Sequence, residues 1–144
     1  MAGRISKSRR GATTLPRIGA PRHEEEGITF SFKHLVEESY CDCPDATFFI
    51  KLLGRLKTIS GRSLPECATA DRHSIIGTEK IPLPQFAPAV QRAARDGFEE
   101  VEKLTVFRAA GDNRAMAGVL LGGVFYIIGI EARINTLYRH GKRK

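Results

Sequence analysis

The most restrictive feature of this sequence is an apolar run from Ala115 to Ile130, AMAGVLLGGVFYIIGI. Its sixteen residues include four glycines, which weaken a helix. A helix needs about 20 consecutive apolar residues to span a bilayer. Arg114 precedes the run and Glu131 follows it. We therefore expect strands here rather than a membrane helix, and no membrane partner.

Turn residues divide this region into three predicted strands, Leu104–Arg108, Arg114–Leu121 and Val124–Ile130. The sequence Ala-Gly-Asp-Asn between the first two favours a turn, since Gly and Asn tolerate positive φ and Asp closes side-chain turns. Gly122-Gly123 between apolar runs is a two-residue hairpin signal. These patterns predict a three-stranded antiparallel meander with the apolar third strand in the centre.

The residues before the meander predict one more strand and an amphipathic helix. Ile28–Phe32 alternates apolar and polar residues, which is typical of a half-buried strand that can join a sheet at its edge. Asp45 or Thr47 can cap a helix, because their side-chain oxygens accept from the first-turn N–H groups. Apolar residues from Phe48 to Leu56 share one face of this helix, and Gly61 ends it.

Three shorter patterns complete the predicted fold. Ser63 is placed to cap a short helix with Pro65 in its first turn. Ile75–Phe86 is predicted to be extended because it contains two prolines. The helix formers that follow are expected to end at Gly97. Together these patterns predict an α+β fold, with helices packed on one face of a mostly antiparallel sheet that ends in the meander.

Length and charge bound the organisation of the chain. A length of 144 residues suits one domain. We predict a flexible basic arm over residues 1–26, a single α+β domain over 27–140 and a basic tail over 141–144. The arm lacks the apolar core of a secretory signal, so we expect a cytoplasmic protein. It either holds a phosphate backbone or is a solvated tail.

The formal net charge of +7 makes an anionic partner a reasonable expectation, although charge alone does not separate nucleic acid from an acidic protein. The three cysteines, Cys41, Cys43 and Cys67, are an odd number, which argues against a disulfide framework. Cys41 and Cys43 are spaced too closely for a usual zinc site. We expect no metal and no small-molecule cofactor.

Basic residues concentrate around the meander. Arg108 and Arg114 flank its first turn, and Arg133 and Tyr138 follow its last strand. Strand pairing could bring these four side chains onto one sheet face, which would form a concave basic surface with a phenol in it. Such a face is either a phosphate site, a solvated surface or a docking surface for an acidic segment.

The stretch VFRAAGDNRAMAGVLLGGVFYIIGIEARINTLY resembles the carboxy-terminal half of the RelE/ParE-like toxins of bacterial toxin–antitoxin systems. Those proteins place two helices before an antiparallel sheet, and their last strands carry an arginine-flanked turn and a closing Arg and Tyr. The matching pieces here are Phe107-Arg108, Gly111–Arg114, Val124–Ile130, Arg133 and Tyr138. Asn113 stands where the family often has an aromatic residue, so the chain would be a divergent member.

The resemblance implies an mRNA endoribonuclease that acts at the ribosome and is neutralised by a cognate antitoxin protein. In this chemistry a ribose 2′-OH attacks the adjacent phosphate. Fixed cations stabilise the added charge and a proton-transfer group assists. By this resemblance Arg114, Arg133 and Tyr138 would be the catalytic residues. The further residues predicted to bind RNA phosphates are Arg108, Arg139, His140 and Lys142.

Two functions of other classes stay open at this point. A non-enzymatic toxin of the same fold would inhibit replication or translation by binding a protein partner. A basic nucleic-acid-binding protein would need only the phosphate contacts and no catalytic group.

Overall fold

The computed structural model describes residues 27–69 and 77–139 of the chain. The predicted arm, the predicted tail, His140 and Lys142 lie outside the described residues. The elements are β1 (Thr29–Ser31), α1 (Ala46–Ser60), α2 (Leu64–Thr69), β2 (Thr78–Pro82), α3 (Pro88–Gly97), β3 (Lys103–Arg108), β4 (Ala115–Leu121) and β5 (Val124–Ile130). Short 3-10 turns occupy Glu37–Ser39 and Leu83–Gln85.

The strands form one five-stranded sheet in the order β1-β5-β4-β3-β2. β1 pairs with β5 in parallel, and the other neighbouring strands pair antiparallel. The predicted α+β class is confirmed, and β1 lies at an edge as expected. β5 is an interior strand, but the middle position belongs to β4. The extended segment after residue 76 supplies the opposite edge strand, β2.

α1 and α2 begin after the predicted capping residues, and α1 ends before Gly61 as predicted. The Phe48 N–H donates to Oδ1 of Asp45 at 3.2 Å, so Asp45 caps α1. Ser63 and Glu66 form a capping box at α2, in which the Ser63 N–H donates to Oε1 of Glu66 at 2.9 Å. Pro88 opens α3.

The two longer helices lie over opposite faces of the sheet. On β3, Phe107 packs in the cluster that contains Phe48 of α1, whereas Leu104 packs in the cluster that contains Val90 of α3. The prediction that the helices share one face is therefore wrong. The physical reason is that β3, β4 and β5 are apolar on both faces, and each face must be covered.

A β-bulge interrupts the pairing of β4 with β5 beside two of the glycines in the apolar run. Gly118 pairs with Ile127 and Ala117 pairs with Gly129, so Ile128 is an extra residue in β5. A side chain at Gly118 would collide with the backbone of β5.

Within the described residues, no helix is both long enough and apolar enough to cross a membrane.

Candidate functional site

Arg114 stands immediately before β4, and groups from three parts of the chain surround its guanidinium. Nη2 donates to Oδ2 of Asp112 at 2.9 Å, and Nη1 donates to the Ala132 carbonyl oxygen at 2.9 Å. The guanidinium carbon lies 4.3 Å from the centre of the Phe48 ring. Nη1 is also 3.7 Å from Oδ2 of Asp45. The side chain is 20% exposed. Through these contacts Arg114 links α1 and the residues after β5 to the start of β4.

The backbone N–H of Arg114 also hydrogen-bonds to Asp112, in addition to the side-chain contacts. The Arg114 N–H donates to Oδ1 of Asp112 at 2.9 Å, which makes the β3–β4 turn an Asx turn. The hydrogen bonds from the Arg114 side chain lower the pKa of the Asp112 carboxyl, and the same contact raises the pKa of Arg114. Both groups are therefore held in their charged forms by each other.

Arg108 and Arg133 are held less firmly. Arg108 Nη1 donates to the carbonyl oxygen of Asn113 at 3.2 Å across the turn. Arg133 Nη2 donates to the Asp42 carbonyl oxygen at 2.9 Å, and its Nε lies 3.7 Å from an Asp42 carboxylate oxygen. The Arg133 side chain is largely exposed, and exposed ion pairs of this kind contribute little to stability.

Tyr138 lies on the other side of the sheet from Arg114. It is 8% exposed and packs with the α3-side cluster, and its ring centre is 5.4 Å from that of Phe86. Arg114 instead contacts Phe48, which belongs to the α1-side cluster. The prediction that Arg108, Arg114, Arg133 and Tyr138 lie together on one sheet face is therefore wrong. Arg139 is exposed.

A buried carboxylate accounts for the position of Tyr138. Glu131 is completely buried. One of its oxygens accepts from the Ala115 N–H at 3.1 Å and the other accepts from the Leu137 N–H at 3.3 Å. This contact brings the segment after β5 back to the sheet, so that Leu137 and Tyr138 pack on the α3 side.

A second cationic region, which the sequence reasoning missed, lies between α1 and the β3–β4 turn. It is a cleft of about 460 Å³ lined by Lys51, Gly54, Arg55, Thr58, Ala110, Gly111 and Asp112, and we call it the α1 cleft. Its helical residues are spaced i, i+3, i+4 and i+7, which places them along one face of α1. That spacing is visible in the sequence, but the opposite wall is contributed by a distant turn.

The α1 cleft carries more positive than negative charge. Arg55 Nη1 lies 3.4 Å from the Arg108 carbonyl oxygen, to which it donates. Burial and the nearby charge of Arg108 lower the pKa of Arg55, and Asp112 offsets this only in part. Among the ion pairs formed within residues 27–69 and 77–139, none involves Lys51 or Arg55.

Two glycines leave the cleft open. A Cβ placed on Gly54 would meet no other atom within 4 Å, so no close packing requires glycine there. Glycine inside a helix costs about 0.5–1 kcal/mol relative to alanine. Gly111 has a φ of +92°, and a Cβ on it would lie 3.4 Å from Nη2 of Arg55. The Arg55 guanidinium thus lies against the backbone of the turn.

Comparisons with protein-family models, curated proteins and solved structures found no match. The resemblance to RelE/ParE-like toxins stays a prediction. In the described part of the chain, no group of three His, Cys, Asp or Glu side chains could hold a metal ion. Cys41 is exposed, Cys43 is half-buried and Cys67 is buried.

Proposed function

We propose that this protein binds nucleic acid, with RNA as the first candidate, through the outward face of α1 and the α1 cleft beside it. One observation carries the proposal. α1 contains Lys51, Arg55 and Lys57 and no carboxylate, and the first two line a cleft with surplus positive charge. A surface of this kind attracts phosphates, and the Asp112 carboxylate that also lines the cleft is paired with Arg114.

The net charge of +7 supports the proposal, because a basic protein steers an anionic polymer toward itself before contact. Each phosphate that a side chain neutralises releases counterions. Affinity for a single strand then falls with salt at a log–log slope of about 0.7 per contact. Binding through Lys51 and Arg55 therefore has a measurable salt signature.

The arrangement of the predicted catalytic residues supports binding more than cleavage. Arg114 is occupied by Asp112 and the Ala132 carbonyl, and Tyr138 is buried on the opposite face. Cleavage through these side chains would require them to rearrange. Endoribonuclease activity, a cognate antitoxin and a ribosomal site of action stay predictions that follow from the resemblance.

The test is fluorescence anisotropy of a labelled single-stranded RNA over a range of salt concentrations. Lys51→Glu with Arg55→Glu is expected to lower affinity at least about tenfold and to reduce the salt slope by about 1.4, the value for two phosphate contacts. The matched control is Arg92→Glu with Arg95→Glu, which changes the charge equally on exposed positions of α3. An equal loss in both double variants would show that net charge alone binds RNA, and would contradict the proposal.

The same samples test for cleavage when the RNA is separated on a denaturing gel. Under the binding proposal the RNA stays intact. Cleavage by the unmodified protein that Tyr138→Phe abolishes would instead establish the endoribonuclease.

A further inference from the structure

The α1 cleft is concave, which binding of an RNA phosphodiester backbone does not require. A polymer of phosphodiesters is held by a charged surface, whereas the α1 cleft adds a solvent-open volume of about 460 Å³, which is in the size range of small-ligand sites. One nucleotide unit is of suitable size for such a volume. The cleft therefore fits the end of a chain or a free nucleotide.

The charges in the cleft favour a ligand with more than one negative charge. Lys51 and Arg55 come from the helical wall. Burial, and then the nearby charge of Arg108, lower the pKa of Arg55. Asp112 lines the opposite wall, but its carboxylate is bound by Arg114. A phosphodiester has one negative charge. A phosphomonoester has roughly 1.5 to 2 negative charges near pH 7 and offers three acceptor oxygens.

The side-chain types suit that anion. The Arg55 guanidinium can bind two phosphate oxygens at once, and the Lys51 ammonium adds a point charge. Gly54 and Gly111 leave the space between them unfilled. A long side chain at position 54 would fill this space, whereas glycine, or a residue as small as alanine, leaves it open.

We propose that the α1 cleft is a phosphomonoester site, which binds the terminal phosphate of an oligonucleotide or a free nucleotide in preference to internal phosphodiesters. The inference rests on the proposed function. In this assignment Lys51 and Arg55 hold the phosphate, and Gly54 determines specificity by keeping the cleft accessible.

The test compares RNAs of one sequence that end in a 5′-phosphate, a 3′-phosphate or hydroxyl groups only. The unmodified protein is expected to bind at least one phosphate-ended RNA about tenfold more tightly than the hydroxyl-ended RNA, the gain of one strong charge-assisted contact. Competition by adenosine 5′-monophosphate distinguishes a free nucleotide from a chain end. This preference should decrease below about pH 6, where the monoester loses its second charge.

Gly54→Met is the decisive variant, because it fills the cleft and leaves every charge in place. It should remove the preference for the terminal phosphate, so that phosphate-ended and hydroxyl-ended RNA bind with affinities within about twofold of each other, because the charges that attract both RNAs are unchanged. Gly54→Ala is the matched control and should keep the preference. Circular dichroism checks that both variants remain helical.

Two results would overturn the inference. One is equal affinity of the unmodified protein for phosphate-ended and hydroxyl-ended RNA. The other is a preference that survives in Gly54→Met. Failure of the proposed function looks different, since Lys51→Glu with Arg55→Glu would then lose no more RNA affinity than the control, Arg92→Glu with Arg95→Glu.

Discussion

Arg114 and Arg55 lie on either side of the β3–β4 turn and share Asp112 as a neighbour, but their electrostatic situations are opposite. Asp112 hydrogen-bonds to Arg114 and raises its pKa. Burial and the charge of Arg108 lower the pKa of Arg55. The charge of Asp112 raises the pKa of both arginines, but its hydrogen bonds go to Arg114, and at Arg55 burial and the charge of Arg108 outweigh it.

The difference extends to the surroundings of each arginine. Arg114, Asp112 and Glu131, which we call the strand-end cluster, tie the start of β4 to the segment after β5. The α1 cleft contains unfilled space and surplus charge instead. Substitutions of Arg114 or Glu131 should therefore change stability and leave binding intact. Substitutions in the cleft should do the reverse.

The largest stability effect is expected from Glu131→Ala. The change leaves the N–H groups of Ala115 and Leu137 without this acceptor in a fully buried place. Each unsatisfied buried donor costs about 1–3 kcal/mol. We therefore expect the free energy of unfolding, measured in urea, to decrease by about 3 kcal/mol. Glu99→Ala, at an exposed position, is the control. Glu131→Gln retains one acceptor and should lose less. A loss below about 1 kcal/mol for Glu131→Ala would contradict the structural role.

The next largest effects are expected from Arg114→Met and Arg55→Met, which compare the two arginines directly. Arg114→Met removes a hydrogen bond to Ala132, an ion pair and the contact with Phe48, and should cost about 2 kcal/mol. Its RNA affinity should stay within about twofold of the unmodified protein. Arg55→Met should change stability by less than about 0.5 kcal/mol and lower RNA affinity about tenfold.

Urea unfolding and RNA anisotropy on both variants measure the two effects together. An affinity loss in Arg114→Met as large as that in Arg55→Met would return Arg114 to the phosphate-clamp role that the family resemblance implies.

The sequence was informative where the determinant is local. The cap at Asp45 and the end of α3 at Gly97 depend on residues within one helical turn. The Gly122-Gly123 hairpin depends on two glycines with positive φ. Each of these features was predictable because the chemistry and the structure it specifies lie in the same few residues.

Features that depend on distant contacts were not predictable in the same way. The position of Tyr138 follows from the contact of buried Glu131 with β4, and a glutamate in a sequence does not show that it is buried. The α1 cleft likewise requires the β3–β4 turn to lie against α1. Arg114 matched a motif, but its occupancy by Asp45 and Ala132 depends on tertiary packing.

The smallest expected effect is the pH dependence of the Asp112 contact. Arg114 lowers the pKa of Asp112 below the value of about 3.9 of an unperturbed carboxyl. A carboxyl with a lowered folded-state pKa contributes stability above its unfolded pKa, and this contribution is lost as the pH falls through the folded value. Because the Asp112 side chain is 51% exposed, solvent screening limits the contribution to about 0.5–1 kcal/mol.

Asp112→Asn should therefore be less stable than the unmodified protein at neutral pH, as measured by urea unfolding, and the difference in the free energy of unfolding should shrink below about pH 4. In the Arg114→Met background the same substitution should have a smaller effect, since the side-chain hydrogen bonds are removed while the backbone N–H of residue 114 can still donate to the carboxylate. A difference of undiminished size in that background would mean that the Arg114 side chain does not hold the carboxylate.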